Sequence, residues 1–166
     1  DYERITDNMQ KEVTVFMGKV MEKSLSEHQS KQSQAIIKIV DEFESIADYL
    51  ERIVKYKERF KQDPKVGATN KEYFEFMENV WEFFELCTKG YLEGVDQDRD
   101  YIIKKSEHLR IWADDMRDRH IERISKGEYE ALSALTYSDM VVALRKIRAH
   151  AMNVSEAHEM SKGNGA

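Results

Sequence analysis

The sequence predicts an all-α protein built of five long antiparallel helices, and three observations carry that expectation. Glycine occurs seven times and proline once in 166 residues, too few for the many turns of a β fold. Apolar residues recur every three to four positions almost throughout, the period of a helix with one buried face. The polar breaks between these periodic segments are short, so that helices adjacent in sequence must lie antiparallel.

The first helix is expected over about 2–25, with Tyr2, Ile5, Met9, Val13, Phe16 and Val20 on one apolar stripe. Ser26, Glu27, His28, Gln29 and Ser30 read as a polar turn. A second helix, about 30–61, is drawn by Ile36, Ile39, Val40, Phe43, Ala47, Leu50 and Val54. Asp63, Pro64 and Gly67 end it, because proline lacks an amide donor and its ring clashes with the preceding turn. Thr69 and Glu72 stand at capping-box spacing and open a third helix, through Phe74, Met77, Trp81, Phe84 and Leu86 to about 92. Gly94 and Asp96 mark a stop and a start. The fourth helix, about 96–126, carries Ile102, Leu109, Trp112, Met116 and Ile121 and closes at Lys126 and Gly127, basic charge followed by glycine. The fifth fills about 131–160, and the tail SKGNGA is expected to fray.

Length fits one domain, 1–166. The chain is 41% hydrophobic and 35% charged, with no apolar run near the ~20 residues that span a bilayer. A net charge of -6, with Lys and Arg scattered among acids, argues against nucleic acid as a partner. The lone cysteine, Cys87, has no partner for an internal disulfide; it reads as a buried small hydrophobe in a reducing compartment. The opening at Asp1, without methionine or a signal-peptide core, reads as a processed chain or an excised piece of a longer one.

A faint internal repeat runs through the helices. TDNM at 6–9 lies over ADDM at 113–116, and FESIADY at 43–49 lies over LRKIRAH at 144–150. The chain thus divides into repeat units of about 1–62 and 96–160, bridged by the helix at about 70–92.

The repeat draws attention to two carboxylate pairs. YERITD at 2–7 and FESIAD at 43–48 share one pattern: aromatic, Glu, any residue, Ile, any residue, Asp. Residues i and i+4 share a helix face, so Glu3 with Asp7, and Glu44 with Asp48, each aim two carboxylates in one direction. With a turn near residue 28, Asp7 lies about 21 residues before it and Asp48 about 20 after, nearly level at ~1.5 Å per residue. Four carboxylates so crowded need protons, a basic side chain or a cation. An all-oxygen donor set suits a hard cation such as Mg²⁺, Ca²⁺, Mn²⁺ or iron. The plain alternative is a solvated face on which Arg4, Lys11 or Arg52 pairs with the acids. In the second unit Glu3 becomes Arg110, Glu44 becomes Arg145 and Asp48 becomes Ala149. Any ion is therefore expected in the first unit alone, with Asp114 and Asp139 held there in salt bridges to Arg110 or Arg145.

Other chemistry is thinly represented. No glutamate precedes a histidine at the Glu-x-x-His spacing of di-iron bundles, and no zinc helix, phosphate loop or nucleophile elbow occurs. His150, beside Arg148, reads as a polar contact rather than a ligand. Trp81, Trp112, Phe83 and Phe84 read as core, although the run EFFE at 82–85 cannot turn every residue to one core and leaves an aromatic for a docking surface.

At these residues the sequence resembles the PhoU family, whose twice-repeated Leu-Glu-Arg-Ile-Gly-Asp-His helix motif holds metal ions in two three-helix bundles. FESIADY matches the first copy with Glu44, Ile46 and Asp48 in register, and YERITD resembles the acidic helix before it. LRKIRAHAMNVSEA at 144–157 keeps Leu144, Ile147, His150, Asn153 and Glu156 but lacks both acids. The phrasing of ERITDNMQKEV, DEFESIADYLERI and RDRHIERI is closest to the PhoU-like domains that follow the membrane region of bacterial Na⁺/phosphate cotransporters. The resemblance implies a PhoU-like fold without its first helix and a non-enzymatic regulatory domain at the cytoplasmic face of the inner membrane. It also implies a Mg, Mn or Fe ion on Glu3, Asp7, Glu44 and Asp48, an attached or docked membrane transporter as partner, and a second copy of the chain as a further option. The competing expectations are a free-standing PhoU-type phosphate-signalling regulator and a metal-dependent hydrolase.

Overall fold

The computed structural model describes residues 2–60 and 67–162, and among these it contains five α-helices and no strand. They are α1 (Tyr2–Met21), α2 (Glu27–Phe60), α3 (Gly67–Glu93), α4 (Arg99–Ser125) and α5 (Ala131–Lys162). The expected all-α fold is the one observed; the helix ends differ from expectation where side chains hold the backbone.

The second helix starts earlier than its apolar pattern. The Ser26 hydroxyl accepts from the Gln29 N–H at 3.2 Å, and the Gln29 side chain accepts from the Ser26 N–H at 3.0 Å. This reciprocal capping box satisfies two otherwise orphaned amides, so the segment read as a turn belongs to α2. The expected box at Thr69 and Glu72 does not set the start of α3, which begins at Gly67. Glu72 instead binds the guanidinium groups of Arg119 and Arg123 on α4, the latter at 3.0 Å. Asp63 and Pro64, the expected break, lie outside the described residues.

Asp98, rather than Asp96, caps α4, accepting from the Tyr101 N–H at 3.1 Å. At its other end Gly127 adopts a φ of 69°, a left-handed conformation that an L side chain resists. The Gly127 N–H then reaches the Ile124 carbonyl at 3.0 Å and the Glu128 N–H reaches that of Arg123 at 3.1 Å. That pair of bonds is a Schellman stop, as the Lys126–Gly127 sequence predicts.

α5 is the central element. α2, α3 and α4 all pack against it, whereas among the described residues α1 rests on α2 alone. A helix covered on several sides must be apolar or small all round. α5 accordingly buries Met140, Leu144, Ile147 and Val154 together with Ala134, Ala143, Ala151 and Ala157, whose short side chains let its neighbours come close. α3 contributes Tyr73, Phe76, Val80, Phe83 and Cys87 to the same core, and α4 contributes Leu109 and Met116. The helix read as a bridge between repeat units is thus one wall of a three-helix α3–α4–α5 bundle. α2 closes onto this bundle through Ile46 and Ile53. Cys87 is fully buried as expected, and that burial pushes its thiol up to about 12, which leaves it unreactive.

Candidate functional site

The α1–α2 seam is the place where the two carboxylate pairs were expected to meet. Thr6, Asp7, Gln10, Thr14 and Met17 of α1 recur every three to four residues and are partly or fully buried, so they form its α2-facing side. The seam is tied by Gln10, whose side-chain amide donates to the Asp41 carboxylate at 2.8 Å.

Across this seam Asp7, Glu44 and Asp48 come close enough to feel one another. The Glu44 carboxyl is held above the usual carboxylate range, first by burial and then by the negative charges of Asp48, Asp7 and Asp41. Asp41 was not among the expected site residues. Its signal was present in the sequence, since it stands three residues before Glu44 and seven before Asp48, on one side of α2. Glu3 stands one turn before Asp7, partly exposed, and is not among the charges that raise Glu44.

Basic partners answer part of this charge. Lys11 binds Asp7 at 2.7 Å, and Arg52 stands 3.9 Å from Asp48. Among the described residues no three His, Cys, Asp or Glu side chains converge as a set able to hold a metal. The seam therefore offers the oxygen donors that a hard cation takes, without a coordination shell already closed around one. To bind there, a cation has to draw Asp7 off Lys11 and turn Asp48 from Arg52.

The raised Glu44 carboxyl makes a pH prediction. A carboxyl whose folded-state pKa exceeds its unfolded value stabilises the fold while protonated, and that contribution is lost as pH rises through the raised value. Glu44→Gln keeps a neutral side chain at every pH. The variant is expected to melt above the parent at about pH 7 and to match it near about pH 4, where Glu44 is itself protonated. A parent that melts at or above Glu44→Gln across this range, measured without added metal, would rule out the repulsion.

The second unit resolves the same position differently. Asp114, the counterpart of Asp7, binds Arg110 at 2.8 Å through one oxygen and Arg145 at 3.0 Å through the other. The expected salt bridges thus form at Asp114; Asp139 is exposed on α5. Arg110 also binds Glu107 at 2.6 Å. Beside them the half-buried Arg148 donates to the Ser106 hydroxyl at 2.6 Å, and its pKa is lowered by burial and by the neighbouring arginines Arg145 and Arg110.

His150 makes a polar contact, as read. Its Nδ1 lies 2.6 Å from the Glu42 carboxylate, whose other oxygen accepts from the Asn153 amide at 3.0 Å. Glu42, which the sequence reading missed, thereby fastens α2 to α5. His120 is likewise engaged, its Nε2 lying 2.9 Å from the Ala134 carbonyl. Neither histidine stands at the acidic seam.

Comparison with protein-family models, curated proteins and solved structures found no match to this chain.

Proposed function

We propose that this chain is a non-catalytic, PhoU-like regulatory domain of a Na⁺/phosphate cotransporter. In this reading it works at the cytoplasmic face of the membrane, attached to or docked on the transporter through its helix surfaces. A hard cation taken up at the α1–α2 seam tightens the packing of α1 on α2. The observation that carries the reading is the contrast between the two units. Asp114 is closed off by Arg110 and Arg145, whereas Asp7, Glu44, Asp48 and Asp41 crowd together until burial and mutual repulsion raise Glu44. In the first unit Glu44 keeps the repulsion of neighbouring acids for a cation to relieve, whereas at the matching place in the second unit two arginines already answer Asp114. The resemblance of FESIADY and YERITD to the PhoU motif supplies the phosphate-transport setting. No helix among the described residues is long and apolar enough to cross a membrane, so in this reading contact with a transporter runs through surfaces.

A ligand that binds only the folded state raises its melting temperature. Mn²⁺, Mg²⁺ or Fe³⁺ is expected to raise that of the parent, and Asp48→Ala is expected to lose most of the rise. If no ion shifts the parent, or Asp48→Ala responds equally, the acids are a solvated face. The transporter role is checked by sodium-dependent phosphate uptake in cells carrying the parent or Asp48→Ala chain. Identical uptake, with both proteins present at equal levels, would remove the regulatory reading.

A further inference from the structure

The two units are built alike along their seams, and one position breaks the likeness. In the register that sets TDNM over ADDM and FESIADY over LRKIRAH, Gln10 falls over Arg117 and Asp41 over Val142. The fold keeps that register: Asp7 acts on Glu44 across α1 and α2, and their counterparts Asp114 and Arg145 meet at 3.0 Å across α4 and α5. In the first unit Gln10 donates to the Asp41 carboxylate at 2.8 Å. The second unit carries a stronger donor, the Arg117 guanidinium, and in place of the acid a valine that accepts nothing.

A small cavity lies where the acceptor is missing. Arg117 and His120 of α4 and Tyr137, Ser138, Val142 and Arg145 of α5 line it, and its volume is about 30 Å³. At ~10–15 Å³ for a water-sized sphere, about two such spheres fit, room for the paired oxygens of one carboxylate or phosphate group whose remainder stays at the mouth. Among the described residues Arg117 meets only its neighbour Asp118, at 3.4 Å, against the ~2.7–2.9 Å of a well-formed charge-assisted bond. His120 is 3% exposed; its Nε2 is spent on the Ala134 carbonyl, and its Nδ1 has no hydrogen-bond partner among the described residues. The fold thus leaves a buried polar atom unanswered on a residue of the cavity wall.

Positive charge is in surplus around this place. Asp114 already has both oxygens engaged, one by Arg145 and the other by Arg110. One turn beyond Arg145, the pKa of the half-buried Arg148 is lowered, first by burial and then by the Arg145 charge, with Glu107 acting against them. Val141 and Val142 supply an apolar wall, beside which attraction between charges is less screened than in water.

We propose that the α4–α5 seam binds a small oxyanion, a carboxylate or phosphate group, between the guanidinium groups of Arg117 and Arg145 and beside the Ser138 hydroxyl, in the place that the Asp41 carboxylate fills in the first unit. The planar fork of an arginine matches two oxygens of such a group, which a single-atom anion cannot use. The site draws on second-unit residues alone, so it stands independently of any cation at the α1–α2 seam and of any transporter.

The test follows the melting temperature of the full chain as sodium phosphate or sodium acetate is raised, against sodium chloride at equal ionic strength. A saturable rise with phosphate, acetate or both is expected, beyond any change in chloride, and the oxyanion with the lower midpoint identifies the preferred group. Arg117→Gln, at a position 56% exposed, is expected to move that midpoint to at least ~10-fold higher concentration. Val142→Asp brings a carboxylate of the chain itself to the cavity and is expected to abolish the response, whereas the uncharged Val142→Thr is expected to keep it; the fold of each variant is checked by circular dichroism. The proposal is overturned if neither oxyanion exceeds chloride, if Arg117→Gln responds with the parent's midpoint, if Val142→Asp responds like the parent, or if Val142→Thr loses the response as fully as Val142→Asp.

Discussion

Phe76→Ala is expected to destabilise the chain by about 3–5 kcal/mol, the range for deleting a fully buried aromatic ring. Phe76 has no exposed surface, sits in the shared core of α2 to α5, and meets the Trp112 ring edge-on. Removing it takes away both the transfer free energy of the ring and the packing of Trp112, and the long helices on either side cannot collapse fully into the void. At ~2–4 °C per kcal/mol for a chain of this size, the melting temperature should fall by roughly 6–20 °C. Phe16→Ala is the matched control. It deletes the same ring from a helix of similar pattern, yet Phe16 is largely exposed, and a change within ~0.5 kcal/mol is expected. Similar losses at the two sites, read by thermal and denaturant melting, would contradict the packing described.

The second large effect is expected at Glu42. Glu42→Ala should cost about 1–3 kcal/mol, because it leaves His150 and Asn153 without their shared acceptor in the part-buried α2–α5 interface. Glu42→Gln retains an acceptor oxygen of nearly the same shape and should recover part of the loss. Asp41→Ala, one residue away on the exposed edge of the α1 seam, loses the Gln10 amide but also removes one of the charges that raise Glu44, and is expected to cost less. If Glu42→Ala melts with the parent, the link between α2 and α5 does not rest on this carboxylate.

Helix existence was legible because it depends on local period. The stops at Gly94 and at Lys126–Gly127 fall where expected, since a left-handed glycine closes a helix by backbone chemistry alone. Starts were less legible wherever a polar residue had two uses. Ser26 and Gln29 looked like turn residues and are a capping box; Glu72 looked like a capping residue and is an ion-pair partner for Arg119 and Arg123 on α4. Side-chain carboxylates and hydroxyls compete among local and distant partners, and only the folded arrangement sets which are in reach.

Of the candidate site, the i, i+4 spacing and the level match were readable, and the fold brings Asp7 to Glu44 and Asp48. Asp41 and Glu42 were not singled out. They flank the expected motif on neighbouring azimuths of α2, and their roles differ because α1 lies on one side and α5 on the other.

By itself the sequence determined the all-α class, five helices, their principal stops, the buried Cys87 and the reversal of charge between the two units, because each follows from period, composition or residue identity. Only the tertiary structure decided which apolar stripes become core. The stripe of α4 and that of α1 are written alike, yet Met116 is sealed beneath α3 while Met9 faces outward. Burial is a property of what packs opposite a face, and a helix cannot encode its neighbour in its own period.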